Sequence, residues 1–455
     1  MASRAEKVRA LLSGDGLRAQ LLRGGIGSLA IKAGHAALAF AVAVVQARML
    51  GPGGYGVYSF ALAILMLTAI PAQVGVPQLV VRETAKLQAT GDGGAIRGLW
   101  RWAGMAVLVF SAGALLVAGA ITLWAHSLGE SARVDALLAG LILIPLMAFT
   151  NVGGACLRGL RKVVQGQLPE SVVRPAVLLL LLLIWLGFAP SEAELSANRA
   201  MAFYVVAAIV SLALAMWLLH RSRPEELRQK PEPIYYSSDW RKAVIPLALI
   251  TGLHVVNNYA DLIILGLFRL DEEVGIYRAV SQLALLIIFG LQAINQVLHP
   301  HFARLYAQRD RAKLQKLVTI SARIILALAF GPFVVFLFFG GDILQFVFGS
   351  GFAMGATALA ILAFGQLANA AFGSVGALLN MTGHERDTMR GMMIAMGANV
   401  VLNFVLIPVY GMNGAAIATA FSYLLWNAVL RYFVRKRLSI ESAAFGLSVP
   451  AAASR

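Results

Sequence analysis

Long apolar stretches separated by short polar or glycine-rich turns occupy most of the chain. A helix that crosses a bilayer needs about 20 consecutive apolar residues, and windows of that length predict twelve spans. They lie near residues 24–47, 56–80, 102–125, 134–157, 172–188, 198–219, 243–267, 275–300, 317–339, 355–380, 390–409 and 411–434. The sequence shows none of the short alternating segments typical of an outer-membrane barrel, so the spans are predicted to be helices.

The second span and the eighth begin with related strings of glycine and tyrosine. At an offset of 219 positions, three pairs coincide without a gap: Gly56 with Gly275, Tyr58 with Tyr277, and His35 with His254. A membrane chain that repeats at about half its length is typical of transporters built from two similar halves.

A charged segment with three prolines, residues 221–242, divides the chain after the sixth span. We therefore expect a cytoplasmic amino-terminal segment (1–23), an N-lobe of six helices (24–220), a cytoplasmic linker (221–242), a C-lobe of six helices (243–436) and a cytoplasmic tail (437–455). Because six is an even number, both lobes enter the membrane from the same side. The predicted fold is thus an all-α polytopic membrane protein whose parallel repeats are related by an axis along the membrane normal.

Composition and charge support a membrane protein and exclude a nucleic-acid binder. The 455 residues are 59% hydrophobic and 13% charged, against about 25% charged in soluble proteins. The net charge is +16, but Lys and Arg concentrate at the termini and in loops after even-numbered spans. The opposite loops hold only Arg48, Arg133, Arg199 and Arg269. Cytoplasmic loops collect Lys and Arg, so both termini are predicted to be cytoplasmic, in contact with anionic lipid.

Several motifs resemble those of one superfamily. The 399–419 segment, with Asn399, Asn403, Pro408 and Gly411, resembles the penultimate hairpin of the polysaccharide-transporter branch of the multidrug/oligosaccharidyl-lipid/polysaccharide exporter superfamily. The first inter-helix turn (48–56), the Arg-Glu pair at 82–83 and the segment 300–310 are similar to that branch as well. Together these matches extend over nearly the whole chain.

This resemblance implies a flippase of the bacterial inner membrane. Its substrate would be an oligosaccharide on an undecaprenyl-type diphosphate, moved from the cytoplasmic to the outer leaflet for O-antigen, capsule or exopolysaccharide synthesis. Expected partners are membrane lipids and the polymerase and glycosyltransferases of the same pathway. Two alternatives of the same fold remain open: a drug or cation exporter (MATE-type) and a lipid II flippase, although the latter usually has two further spans after the twelfth.

Polar residues within the predicted spans mark a candidate cavity, since ionisable groups in lipid usually face a cavity or a partner. On span 1, Ser28, Lys32 and His35 share one helical face. Spans 7 and 8 add these residues: His254, Asn257, Asn258, Asp261, Arg278, Gln282 and Asn295. Because spans 1 and 7 are repeat counterparts, we expect their polar faces to line a central cavity.

The residue types suit an anionic, sugar-bearing substrate. A diphosphate requires cationic partners and a sugar requires amides. The candidates for the diphosphate are Lys32, His35, His254 and Arg278, and those for the sugar are Asn257, Asn258, Gln282 and Asn295. Asp261, His35 and His254 are candidates for proton or ion coupling. Other interpretations stay open: Lys32 and Arg323 could snorkel to the surface, Arg278 could pair with Glu272 or Glu273, and the amides could join helices.

The sequence does not favour an enzyme. It has no phosphate-binding loop of the Walker type and no zinc-protease or nucleophile-elbow motif. A membrane-bound polymerase or ligase would usually carry a long outward loop, which is not predicted here. We therefore expect alternating access by the two lobes, with no cofactor and no metal.

Overall fold

The computed structural model describes residues 17–73, 75–127, 129, 131–188, 194–224, 227, 229 and 231–445. In this part of the chain every regular element is helical, and nine helices are long and apolar enough to cross a membrane. The protein is therefore an all-α, multi-pass membrane protein, as predicted. The count of twelve spans stays a prediction, because two of the helices each run through two predicted spans. The predicted amino-terminal segment 1–23 lies mostly outside the described residues.

The α-helices are numbered α1 to α15 in chain order. Their bounds are α1 Leu17–Thr68, α2 Ile70–Gln73, α3 Val76–Thr90, α4 Gly93–Ser127, α5 Ala132–Gly140, α6 Leu143–Gly159, α7 Val163–Leu168, α8 Arg174–Phe188, α9 Ala197–Arg221, α10 Ser237–Phe268, α11 Asp271–Ala307, α12 Arg311–Phe348, α13 Ala356–Phe372, α14 Val375–Met381 and α15 Glu385–Leu438. A π-helical turn, Pro169–Val173, joins α7 to α8, and a 3-10 turn, Ser350–Gly355, precedes α13.

Glycines with positive φ interrupt the two longest helices. Gly51 in α1 has φ 64° and ψ 176°, and Gly411 in α15 has φ 57° and ψ −135°. L-residues with a side chain rarely adopt such conformations. The chain therefore turns at these points without a loop, and Gly411 lies in the segment 399–419 that resembles a hairpin.

The chain divides into two compact units. Unit 1 extends to Met49 and resumes over Ala61–Val256, whereas unit 2 comprises Leu50–Phe60 and the chain from Asn257 onward. The start of the second predicted span, although encoded in the first half, thus belongs to unit 2. The lobe boundaries predicted from the 221–242 linker stay a prediction.

Within unit 1, part of the predicted linker is attached to the start of α4. The backbone nitrogen of Ile234 donates to the carbonyl of Gly94 (3.1 Å), and Arg97 donates to the carbonyl of Pro231 (2.7 Å). A Cβ at Gly98 would lie 1.9 Å from the Ile234 carbonyl oxygen. Only glycine permits this close approach, so the linker segment 231–236 has a defined position.

Within unit 2, the backbone segments that contain the repeat-related glycines Gly56 and Gly275 are in direct contact. A Cβ at Gly56 would lie 1.7 Å from the carbonyl oxygen of Asp271, and a Cβ at Gly275 would lie 2.0 Å from that of Pro52. Pro52 and Asp271 are themselves repeat counterparts (271 − 52 = 219). The contact is therefore reciprocal, and each copy of the repeat uses its glycine against the carbonyl of the other.

The residues after α15 also pack into unit 2. Glu441 is 1% exposed and accepts hydrogen bonds from Arg431 (2.7 and 3.0 Å) and from Arg435. Its backbone exchanges two hydrogen bonds with the Gln315 side chain (2.7 and 2.8 Å). Burial raises the pKa of the Glu441 carboxyl. The hydrogen bonds from the arginines lower this pKa by a larger amount, so the net pKa is below the usual 4.5. The described part of the predicted tail is thus anchored by a buried carboxylate.

Candidate functional site

Helix α1 in unit 1 carries the first predicted polar face. The Ser28 hydroxyl donates to Gln167 (3.0 Å), and the Nδ1 atom of His35 lies 2.9 Å from the carbonyl oxygen of Ser171. Lys32, between these positions on the same face, is exposed. The predicted face therefore lies against the segment formed by α7 and the π-helical turn.

Helix α10 carries the second predicted polar face. Asn257 is half-buried and Asn258 is exposed, while the side chain of His254 lies outside the described structure. The approach of His35 to His254 that the repeat predicts therefore stays a prediction.

Asp261 begins a chain of polar side chains that connects three helices of unit 2. The Tyr277 hydroxyl on α11 donates to the Asp261 carboxylate (2.7 Å) and lies 3.4 Å from the Thr419 hydroxyl on α15. Asn399 donates to Thr419 (3.4 Å), and Asn403 donates to Asn399 (3.0 Å). The oxygen of the Asn403 amide is buried and has no hydrogen-bond partner among the described residues. This network places one acidic group among neutral donors and acceptors inside the helix bundle.

Arg278 also interacts with Asp261 and so extends this network. It interacts with the side chains of Tyr55, Tyr259 and Asp261. Glu273, one of its two alternative partners, accepts a hydrogen bond from the backbone nitrogen of Met412 (3.0 Å). The structure thus directs Arg278 toward the polar network.

The remaining predicted residues take different positions. Gln282 and Asn295 on α11 are half-buried, and the oxygen of the Asn295 amide is buried with no partner in the part of the chain described. Arg323, for which snorkelling was one interpretation, donates to the carbonyl of Ala444 (3.2 Å). Arg323 therefore helps to hold the segment after α15.

Sequence reasoning missed a second polar cluster, in unit 1. It comprises Gln73, Asn151, Arg158, Glu170 and Arg174. The predicted spans 134–157 and 172–188 leave a cytoplasmic loop between them, but helical structure resumes at residue 163. An available signal was the Glu170–Arg174 spacing of four residues, which favours a helical ion pair.

Among the residues described, no three His, Cys, Asp or Glu side chains form a group that could hold a metal ion. The expected absence of a metal stays a prediction.

Two family descriptions match the sequence. The polysaccharide biosynthesis protein family matches residues 21–306, more than half of the chain. The MatE family matches residues 246–405.

Curated relatives are similar over part of their length. The probable low-salt glycan biosynthesis flippase Agl15 of Haloferax volcanii is 24% identical over 184 residues, which are 40% of this chain and 39% of the relative. The capsular polysaccharide biosynthesis protein CapF of Staphylococcus aureus is 25% identical over 248 residues, which are 52% of this chain and 60% of the relative. The matched part thus spans less than two thirds of either relative.

Solved structures share the fold at low sequence identity. An inward-facing multidrug resistance MATE family transporter of the MOP superfamily has a TM-score of 0.71 and 14% identity, covering 91% of this chain and 98% of that one. The lipid II flippase MurJ, in an inward closed conformation, has a TM-score of 0.70 and 12% identity, covering 91% of this chain and 87% of that one. Since the family match covers more than half of the chain, the protein belongs to the polysaccharide biosynthesis protein family, and it has the fold of the solved MOP-superfamily transporters.

Proposed function

We propose that the protein is a flippase for a lipid-linked oligosaccharide, carried on an undecaprenyl-type diphosphate and moved from the cytoplasmic to the outer leaflet. Family membership supports a role in polysaccharide synthesis, and two curated relatives bear flippase or capsule-synthesis names. The bacterial inner membrane, with both termini in the cytoplasm, is the proposed location, on the basis of the Lys and Arg distribution. The surface glycan would be an O-antigen, a capsule or an exopolysaccharide.

The observation that carries the proposal is the polar network around Asp261. A carboxylate inside a membrane helix is costly and usually functional, and here it is bonded to Tyr277 and adjoins a chain of amides and hydroxyls. We assign proton or ion coupling to Asp261, with His35 and His254 as further candidates. Movement of the substrate would follow alternating access.

The polar side chains on α1, α10 and α11 supply the proposed substrate contacts. Lys32, His35, His254 and Arg278 would bind the diphosphate, because cationic groups bind phosphate through charge-assisted hydrogen bonds. The amides of Asn257, Asn258, Gln282 and Asn295 would bind sugar hydroxyls, since an amide both donates and accepts.

The test is deletion of the gene and complementation with single variants. Lys32→Ala, His254→Ala and Asp261→Ala should each reduce surface polysaccharide at least tenfold and cause lipid-linked glycan to accumulate in the inner leaflet. Glu272→Gln, at an exposed carboxylate of α11, is the matched control and should restore wild-type output. The proposed site is wrong if all three alanine variants are present at normal levels and restore full output.

A drug or cation exporter is the alternative, favoured by the match of residues 246–405 to the MatE family. It predicts greater resistance to cationic dyes on overexpression and unchanged surface glycan on deletion. A flippase predicts unchanged resistance to cationic dyes on overexpression and loss of surface glycan on deletion, so the same strains distinguish the two activities.

A further inference from the structure

Irregular backbone in unit 1 converges on the missed polar cluster. Helix α2 ends at Gln73 and α3 starts at Val76, with Gly75 between them at φ 84°. On the neighbouring chain segment, Pro169–Val173 forms a π-helical turn that contains Glu170. Non-helical backbone at membrane depth occurs where it is buried in protein or lines a hydrated cavity, and π-helical turns are frequent at functional sites. Two such irregularities beside one carboxylate indicate a site.

The Glu170 carboxylate is held in place by an amide on α6. With the Asn151 amide oriented so that its nitrogen faces Glu170, that nitrogen lies 2.6 and 3.1 Å from the two carboxylate oxygens. The Asn151 amide also lies 3.1 Å from the Gln73 amide. Three planar polar groups thus form a row across three segments of unit 1.

A close helix contact fixes this row. A Cβ at Gly154 would lie 2.5 Å from the carbonyl oxygen of Gly166, and a Cβ at Gly166 would lie 2.5 Å from that of Gly154. Small residues allow membrane helices to approach this closely. Because Gly154 is three residues from Asn151 and Gly166 four residues from Glu170, the contact sets their separation.

The Glu170 carboxylate keeps capacity to accept further hydrogen bonds. Its side chain is 36% exposed, and the Arg174 guanidinium lies 3.6 Å from one oxygen. A carboxylate offers about four lone-pair positions, and Asn151 occupies about two of them. Arg158 also interacts electrostatically with Glu170, so two positive charges oppose a metal cation here. Hydroxyl groups suit the remaining positions, because they donate to the carboxylate and carry no positive charge.

The predicted phosphate-binding lysine lies on the helix beside this row. Ser28 and His35 contact Gln167 and Ser171 on either side of Glu170 in the sequence, and Lys32 shares their helical face. In a lipid-linked oligosaccharide the first sugar is bonded directly to the diphosphate. A cation and a hydroxyl-accepting carboxylate on adjacent segments match that junction.

We propose that Glu170, Asn151 and Gln73 form a saccharide subsite that binds the hydroxyl groups of the sugar attached to the diphosphate. The inference rests on the proposed function, because it assumes a glycosylated lipid diphosphate as the substrate. It adds a sugar-binding contribution of unit 1 that is separate from the amides of α10 and α11.

The experiment compares two kinds of lipid on the purified full-length protein in nanodiscs. The probes are undecaprenyl diphosphate without sugar and the same lipid bearing glucose, galactose or N-acetylglucosamine. The wild-type protein should bind at least one glycosylated lipid about tenfold more tightly than the sugar-free lipid. Glu170→Ala should remove that preference and leave the affinity for the sugar-free lipid unchanged. If the alanine variant does not fold, Glu170→Gln takes its place in the test. This variant keeps an accepting oxygen and should retain part of the preference for the glycosylated lipid.

Two further variants separate the sugar contact from other roles. Lys32→Ala should weaken binding of all four lipids by the same factor, whereas Glu272→Ala should change none of the affinities. The saccharide subsite is overturned if the wild type binds all four lipids equally, or if the Glu170 variants weaken the sugar-free lipid as much as the glycosylated ones. If the wild type binds none of the four, the proposed function fails and the subsite fails with it.

Discussion

The reciprocal contact of Gly56 and Gly275 makes a quantitative prediction about unit 2. Ordinary van der Waals contact begins at 3.4 Å, whereas a Cβ would lie 1.7 Å from backbone at Gly56 and 2.0 Å at Gly275. The shortfalls are about 1.7 Å (3.4 − 1.7) and about 1.4 Å (3.4 − 2.0), and both atoms met are carbonyl oxygens that cannot rotate away. Overpacking of this kind costs about 1–3 kcal/mol, whereas replacing glycine with alanine in a helix gains up to about 1 kcal/mol.

We therefore expect Gly56→Ala and Gly275→Ala each to lower the free energy of unfolding by up to about 2 kcal/mol (3 − 1). Gly53→Ala is the matched control, because a Cβ at Gly53 meets no atom within 4 Å. That control should be neutral or should raise stability by up to about 1 kcal/mol. The double variant of Gly56 and Gly275 should cost less than the sum of the single ones, since one separation of the helices relieves both contacts.

The assay is the temperature at which half of the purified protein loses its monodisperse peak in size-exclusion chromatography. Gly56→Ala and Gly275→Ala should lower this temperature, and Gly53→Ala should not. The reasoning is refuted if Gly56→Ala is as stable as Gly53→Ala, or if the effects of the two contact variants add fully.

Three further predictions concern single side chains: Tyr277, Glu441 and Cys156. Tyr277→Phe removes the hydroxyl that donates to Asp261 and should lower the free energy of unfolding by about 1–2 kcal/mol. The same variant should lose glycan export in the complementation assay, and Tyr277→Trp, which also lacks the hydroxyl, should not restore export. Because the folded state lowers the pKa of Glu441, its stabilising contribution should be complete above about pH 4.5 and should decline as the pH falls below that value; Glu441→Gln should abolish this part of the acid sensitivity in a pH series of thermal melts. Cys156, the sole cysteine, is 1% exposed, so a water-soluble maleimide should label the native protein at least tenfold more slowly than the unfolded protein, as mass spectrometry would show.

The fold was largely predictable because a bilayer imposes a strong constraint. Apolar runs must form helices there, and the turn at Gly411 was visible as proline and glycine between two apolar runs. The sequence also identified Asp261, since an isolated carboxylate in an apolar run is costly. Its hydrogen bond to Tyr277 was not predictable, because the tyrosine was noted only as part of the repeat.

The cluster at Glu170 was missed for a physical reason. Charged residues favour a loop when they must be solvated by water, but Glu170 and Arg174 interact with each other and with neighbouring helices. Glu441 was missed similarly: its burial depends on Arg431 and Arg435, which lie on the preceding helix. Pairing across helices neutralises charge in a way that a window along the sequence does not detect.

The membership of Leu50–Phe60 in unit 2 has a consequence for biosynthesis. Gly56 emerges from the ribosome 219 residues before Gly275 (275 − 56 = 219), which at about 5–20 residues per second is roughly 10–45 s. During that interval the segment has none of its contacts with α11, and the backbone carbonyl of Pro52 is not yet covered by Gly275. Unit 2 therefore cannot mature from the second half of the chain alone, and a ribosome that stalls between the two repeats would release a protein whose second span lacks its native neighbour. We expect quality-control proteases of the membrane to recognise such a truncated chain by that uncovered segment.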